Sequence, residues 1–167
     1  IWTHDQPEII NDTILKPVTH AFYIIRDVRD VINSMAHYAT KRIVLELNPH
    51  YTKSNVKQIY NDYTLIKNWV KAWYNHINSY LVNKIFFLCI SLEEIKKNPK
   101  QTINEIQEYL NIDFDVNKVV DEIQFEKMKN KSNNHLRNKK SDWEQYFNAK
   151  HIQIIKDIAG SHLIDLG

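Results

Sequence analysis

Two short, uninterrupted apolar stretches constrain the fold of this chain most strongly. The first covers residues 21–25, and the second follows Lys84 and ends at Ile90. Stretches of this length and kind are typical of strands covered on both faces, as in parallel sheets. A helical pattern follows the first one, because Val28, Ile32 and their neighbours recur at helical spacing. Strand, turn and helix in succession form the unit from which parallel sheets are built, so the sequence predicts an α/β fold.

The rest of the chain is predicted to be mostly helical. One long helix is predicted from about Asn55 to Val82, because aromatic and aliphatic residues recur at intervals of three and four. Ser91 begins a capping-box pattern after the second strand, and Pro99 begins a further helix. Asp27 is predicted near the N-terminus of the helix after the first strand, where a carboxylate suits capping and the helix dipole. The last predicted helix carries Ile152, Ile155, Ile158 and Leu163.

Composition excludes several classes of protein. The 167 residues are one domain's worth of chain, and 22 basic residues nearly balance 20 acidic ones, which argues against disorder and gives no indication of nucleic-acid binding. No apolar stretch approaches the roughly 18–20 residues of a membrane span. Cys89 is the single cysteine, so an internal disulfide or a cysteine-built zinc site is excluded.

Glycine usage excludes one kind of phosphate site. The two glycines, Gly160 and Gly167, lie at the C-terminal end, so a glycine-rich phosphate loop is absent from these residues. The sequence also opens with Ile1 in what resembles a strand. We therefore expect an N-terminal portion to precede it.

A candidate anion site lies at the end of the first predicted strand. Arg26 is placed at the carboxyl edge of the sheet, where open α/β sheets bind ligands, and Ser34 follows two helical turns later. A guanidinium beside a hydroxyl is suitable chemistry for a phosphate. The alternative is that Arg26 forms a structural ion pair with Asp30 or Glu94. Spacing alone leaves both interpretations open.

Several segments resemble one family in order along the chain. Residues 23–34 are Tyr-Ile-Ile-Arg-Asp-Val-Arg-Asp-Val-Ile-Asn-Ser, residues 2–7 are Trp-Thr-His-Asp-Gln-Pro, and residues 125–129 are Phe-Glu-Lys-Met-Lys. These resemble, in turn, the 3′-phosphate motif, the catalytic-histidine segment and the Phe-Glu-x-Met box of sulfotransferases that use PAPS (3′-phosphoadenosine 5′-phosphosulfate). Further similarity lies in residues 69–80, 86–99 and 137–147. The resemblance implies one sulfotransferase domain over 1–167, the helix-rich C-terminal part of a P-loop-like parallel-sheet fold.

The resemblance also implies a role for particular residues. Arg26, Ser34 and Arg137 would hold the 3′-phosphate of PAPS or of its product PAP, and Phe125 would lie near the adenine. His4 would be the general base that takes the proton of the acceptor hydroxyl, a task suited to a group that titrates near neutrality. The partner would be a small molecule with a hydroxyl group, and no metal is implied. The family branch and the lone cysteine indicate a cytoplasmic protein.

Departures from the family pattern keep an alternative open. The family's 5′-phosphosulfate loop would precede His4, so residues 1–167 alone are expected to be inactive. Trp2 and Leu92 replace the usual lysine and tyrosine, and residues 137–143 contain no glycine. The alternative is a non-catalytic relative that binds a nucleotide or a partner protein. An unrelated P-loop kinase is disfavoured, because it has no need of Arg26 and Ser34 together with a late basic segment. Phenol, fatty alcohol, sugar and peptide acceptors all stay open, as does the oligomeric state.

Overall fold

The computed structural model describes residues 19–41, 55–82, 87–124, 127 and 142–162 with their side chains, and residues 83 and 163–165 by backbone. The elements are β1 (Phe22–Ile25), α1 (Val28–Ala39), α2 (Val56–Asn61), α3 (Tyr63–Asn83), β2 (Leu88–Ser91), α4 (Leu92–Lys97), α5 (Pro99–Leu110), α6 (Val116–Glu122), the 3-10 helix η1 (Trp143–Gln145) and α7 (Ala149–Asp165). This helix-rich arrangement confirms the predicted α/β class, whereas the P-loop-like grouping stays a prediction.

The two strands pair in parallel, as the sequence predicts. Phe22 lies opposite Leu88 and Ile25 lies opposite Ser91. Side chains alternate between the faces of a strand, and in β1 they are buried on one face and exposed on the other. On the exposed face, Phe22 and Ile24 keep 40% and 48% of their accessible surface. The prediction that this strand is covered on both faces is therefore wrong for one of them.

The chain divides into two compact units. The first contains residues 1–26 and 79–140, and the second contains residues 27–78 and 141–167. Each unit is built from two separated segments, and each is described here by itself. The prediction of one domain over 1–167 stays a prediction.

Aromatic packing and hydrogen bonds hold the first unit around its sheet. The Tyr23 and Tyr80 rings stack with their centroids 4.2 Å apart. Burial and a hydrogen bond to Cys89 raise the pKa of Tyr80 to about 12. Burial also raises the pKa of the Cys89 thiol, although the Tyr80 hydrogen bond opposes this. The Tyr109 hydroxyl accepts from the Ala21 N–H at 3.0 Å and donates to the Ala21 carbonyl at 3.1 Å. It thereby fixes the backbone just before β1.

The second unit has an apolar core between helices. Six side chains that are fully buried form its centre, namely Val28, Ile32, Ala36, Ile59, Ile66 and Val70. The helical spacing after the first strand also predicts Val31 and Met35 on the apolar face of α1, but both are half-buried, whereas Asn33 and Ala36 are buried. Ile155 and Ala159 of α7 are also buried, at helical spacing.

The predicted long helix is two helices. Asp62 interrupts it with φ −91° and ψ 82°, outside the helical region. Its carboxylate accepts a hydrogen bond from the Leu65 N–H at 3.0 Å and so caps α3, while Asn55 caps α2. Asp62 is thus an N-cap in the middle of an apolar stripe, which is why periodicity alone predicts one continuous helix.

Two other predicted helix starts are confirmed. Ser91 is the N-cap of α4 and accepts from the Glu94 N–H, and Pro99 occupies the first turn of α5. The predicted capping box is formed only by half, since the Glu94 carboxylate accepts a hydrogen bond from Asn98. In the part of the chain that the structure describes, no helix has the length and apolar character needed to cross a bilayer.

Candidate functional site

Arg26 follows the carboxyl end of β1 directly. The neighbouring strand β2 ends at Ser91, which pairs with Ile25, so both parallel strands end at the same edge of the sheet. Arg26 is half-buried there, in the first unit. This placement agrees with the prediction from the sequence, because the carboxyl edge of a parallel sheet is where α/β folds bind ligands.

Ser34 lies on the exposed side of α1. The buried residues Val28, Ile32 and Ala36 form the opposite face, so the Ser34 side chain is accessible to solvent. Ser34 belongs to the second unit, whereas Arg26 belongs to the first. Their joint action on one anion stays a prediction.

Asp27 lies in the sequence between β1 and α1, and its carboxylate pairs with the guanidinium of Arg29. Its carboxylate caps α1 by accepting from the Arg29 N–H at 2.7 Å. The Arg29 Nε donates to both carboxylate oxygens, at 2.9 and 3.0 Å, and its Nη2 donates to Oδ2. Burial by itself would raise the pKa of Asp27, but the hydrogen bonds from Arg29 outweigh burial and hold that pKa below its usual value. The pairing raises the pKa of Arg29 in return.

Two contacts attach the late segment 142–147 to α1. Asn33 Nδ2 donates to Asp142 Oδ1 at 2.6 Å, and the Arg29 guanidinium lies 4.7 Å from the centroid of a Trp143 ring. The second distance is within the range of a cation–π interaction. Asn33 is 3% exposed and Asp30 is 7% exposed, so two buried polar residues lie among the buried apolar residues of α1. The role of Asn33 was not predicted, although a polar residue among apolar helical positions is a pattern that could have indicated it.

Tyr60 connects α2 to the same region. Its hydroxyl donates to Asn33 Oδ1 at 2.7 Å, and its ring stacks on Tyr146 with centroids 5.1 Å apart. His151 is buried beside it: its Nδ1 accepts from the Asn148 N–H at 3.1 Å, and its Nε2 lies 2.8 Å from the Tyr60 carbonyl. Because Nδ1 accepts, Nε2 carries the proton and donates to that carbonyl. No pattern in the sequence indicated that this histidine is buried.

An open depression lies elsewhere in the second unit. It is lined by Gln58, Asn61, Asp62, Tyr63, Thr64 and Lys150. The Lys150 Nζ lies 3.9 Å from the centroid of the Tyr63 ring, and the Tyr63 hydroxyl accepts from Asn148. None of the predicted site residues lines it, and its charged lysine is already placed over an aromatic ring. We assign it no function.

Comparison with protein families decides the class of the chain. A family model described as the sulfotransferase domain matches residues 1–167. The chain belongs to the sulfotransferase family. Membership makes sulfuryl transfer the general chemistry of this domain and makes the protein a transferase. No curated protein and no solved structure matches the chain.

The remaining predicted residues of this sulfotransferase domain lie outside the described part. His4, Phe125 and Arg137 are among these, so their roles stay predictions. Among the described residues, no group of three or more histidine, cysteine or acidic side chains is arranged to hold a metal ion. Of the predicted site residues, the structure therefore describes Arg26 and Ser34, each within its own unit.

Proposed function

We propose that this sulfotransferase uses PAPS as donor and a small molecule with a hydroxyl group as acceptor. The observation that carries the proposal is the family match over the whole of residues 1–167. The placement of Arg26 after a parallel strand supports it, because this sheet edge is where α/β folds bind nucleotides. The proposed location is the cytoplasm, on the sequence resemblance and the single cysteine.

The 3′-phosphate of the nucleotide is bound by Arg26, Ser34 and Arg137. A guanidinium and a hydroxyl are donors without a fixed negative charge, so they fit a phosphate. The nearest carboxylate in sequence, Asp27, is paired with Arg29, which offsets its charge. Phe125 contributes an aromatic face to the adenine.

His4 is the general base of the reaction. Its neutral imidazole accepts the proton of the acceptor hydroxyl as that oxygen forms its bond to sulfur. PAPS, when bound, supplies the sulfuryl group, whose bond to the bridging phosphate oxygen breaks and leaves PAP. Removal of the proton makes the oxygen a better nucleophile, and the histidine keeps the proton afterwards for release to solvent.

The roles of His4 and Arg26 can be separated by experiment. His4→Ala in the full-length protein is expected to abolish turnover with PAPS and leave PAP affinity unchanged. Arg26→Ala is expected to weaken PAP binding by about 1.5–3 kcal/mol, the scale of hydrogen bonds to charged groups. PAP release is measured with a panel of phenols and alcohols, and PAP affinity is measured by calorimetry.

Two results would count against this function. Equal loss of PAP affinity in both variants would contradict the division of roles. Absence of PAP release by the wild-type protein over the whole panel, with PAP affinity retained, would favour a non-catalytic nucleotide-binding relative. The substitutions at Trp2 and Leu92 are the features that favour this second candidate.

A further inference from the structure

His37 follows Ser34 by one helical turn on α1. Residues three positions apart are neighbours on a helix surface, with about 5–6 Å between their Cβ atoms. Side chains of a helix also lean towards its N-terminus, so the His37 side chain leans towards the turn that contains Ser34. Ser34 is exposed and His37 is half-buried. A ligand bound by the Ser34 hydroxyl is therefore close enough for the His37 imidazole to contact it.

An aromatic neighbour orients the His37 ring. The ring packs edge to face against Tyr146, with 5.2 Å between the centroids and 78° between the planes. Tyr146 in turn stacks on Tyr60, with 5.1 Å between the centroids. All of these residues and Ser34 belong to the second unit. His37 thus has a defined position beside Ser34, so little side-chain freedom is lost when it binds a ligand.

The C-terminal part of α1 carries hydrogen-bond donors and no carboxylate. Residues 34–41 are Ser-Met-Ala-His-Tyr-Ala-Thr-Lys. Tyr38 follows Ser34 at helical spacing and is 54% exposed. Lys41 comes just after the end of α1, and its Nζ lies 5.7 Å from the centroid of the Tyr38 ring. A hydroxyl, an imidazole, a phenol and an ammonium group therefore succeed one another here, and such a set suits an anion.

The charged groups near His37 are compatible with a positive charge on its ring. Lys41 follows it just beyond the helix end, and Asp30 precedes it by two turns and is 7% exposed. From the late segment, Asp142 accepts a hydrogen bond from Asn33, one turn before His37. Neither carboxylate belongs to the exposed side of α1. His37 itself lies in the last turn of the helix, where the helix dipole favours a cation.

We propose that His37 is a further ligand of the 3′-phosphate and donates an imidazole N–H to the same phosphate that Ser34 binds. This inference rests on the proposed function, because it takes Ser34 as a phosphate ligand. An imidazole titrates near neutrality, and in its protonated form the hydrogen bond to a phosphate is charge-assisted. The preference for a ligand with a 3′-phosphate therefore increases as the pH falls from about 8 to about 6.5.

The test compares PAP with 5′-AMP, which differ by the 3′-phosphate, at about pH 8 and about pH 6.5. Both values lie above the pH of about 6 near which a phosphate monoester itself takes up a proton. Calorimetry on the full-length protein gives the dissociation constants for the wild type, His37→Gln and His37→Phe. The preference of the wild type for PAP over AMP is expected to rise about threefold or more between the two pH values.

The two variants separate the donor, the charge and the ring. His37→Gln keeps an N–H donor and does not titrate, so at about pH 8 its preference for PAP is expected to stay within about threefold of the wild type, without a rise at lower pH. His37→Phe keeps a ring to pack against Tyr146 but has no donor. It is expected to lose about tenfold in preference for PAP at about pH 6.5, with an unfolding temperature close to that of the wild type.

His20→Gln is the matched control. His20 is an exposed histidine of the first unit, and it packs edge to face against Tyr109 with 5.1 Å between the centroids, much as His37 packs against Tyr146. This variant is expected to keep the wild-type rise in preference for PAP. Should His37→Phe fail to fold, the missing rise in His37→Gln still tests the role of His37.

Each outcome decides one question. If His37→Gln shows the same rise as the wild type, or if the wild type prefers PAP equally at both pH values, the role of His37 is overturned. Loss of the rise in His20→Gln to the same extent as in His37→Gln would also overturn it. If the wild type binds PAP no more tightly than AMP at either pH, the proposed 3′-phosphate site itself fails, and the role of His37 fails with it.

Discussion

At the scale of the residue, Asp27 combines two interactions that the sequence suggested only in part. Its position before α1 predicted a helix cap, and the cap is confirmed. Its ion pair with Arg29 was not predicted, because spacing offered several partners for the charges at this junction. The paired carboxylate contributes stability that depends on its ionisation.

Asp27→Asn tests this contribution. Asparagine is as good an N-cap as aspartate, so the variant loses the charge pair and keeps the cap. Because both side chains are partly exposed, we expect a loss of only about 0.5–1 kcal/mol at pH 7, measured by urea unfolding. Asp115→Asn is the control, since the Asp115 carboxylate caps α6 by accepting from the Lys118 N–H and is exposed. The unfolding free energy of Asp115→Asn is expected to stay within about 0.5 kcal/mol of the wild-type value.

The pH dependence of the same variant has a defined sign. The pKa of Asp27 is lower in the folded protein than in the unfolded chain, so its contribution is present above the unfolded pKa of about 3.9. It is lost as the pH falls through the lower folded pKa. The difference in unfolding free energy between wild type and Asp27→Asn should therefore shrink below about pH 4. A difference that grows on acidification would contradict the ion pair.

Residues that act locally could be predicted, and residues with distant partners could not. The positions of Arg26 and Ser34 follow from a strand and a helix in one short stretch of sequence, and the structure places Arg26 directly after β1 and Ser34 on α1. Asn33 and Asp142 owe their roles to a contact across 109 residues, which no local pattern encodes. This contact between α1 and the late segment was therefore not predicted from the sequence.

At the scale of the element, Asp62 determines where α2 ends and α3 begins. The apolar stripe runs through this point, since Ile59 and Ile66 on either side are both fully buried. The spacing of apolar residues predicts which face of a helix is buried. It does not show a break between two helices that bury the same face. The helices were therefore predicted in the right place, and the break between them was missed.

Asp62→Ala tests the role of this cap. The Leu65 N–H loses its partner, so we expect a loss of about 1 kcal/mol in unfolding free energy by chemical denaturation. Asp62→Asn keeps an acceptor oxygen at the cap and is expected to cost less than about 0.5 kcal/mol. Stabilisation by alanine would mean that a continuous helix is preferred, against the structure.

At the scale of the whole molecule, each compact unit is built from two segments that are far apart in the sequence. Residues 27–78 associate with 141–167, and residues 1–26 associate with 79–140. Local patterns predicted the strands and helices within these segments. The association of the segments depends on side chains such as Tyr60 and Tyr146, whose stacking no spacing rule predicts. Segments that resemble sulfotransferase motifs, in the same order along the chain, indicated the family, and the match over 1–167 confirms it.

The central claim is that this sulfotransferase recognises a nucleotide through its 3′-phosphate. A thermal-shift titration of the full-length protein with PAP, with 5′-AMP as control, tests it most directly. A ligand at 100 times its dissociation constant stabilises by about 2.7 kcal/mol, which raises the unfolding temperature of a domain of this size by about 5–10 °C. We predict a shift of this size with PAP and a clearly smaller one with AMP at the same concentration. Equal shifts with both ligands, or no shift with either, would contradict the claim.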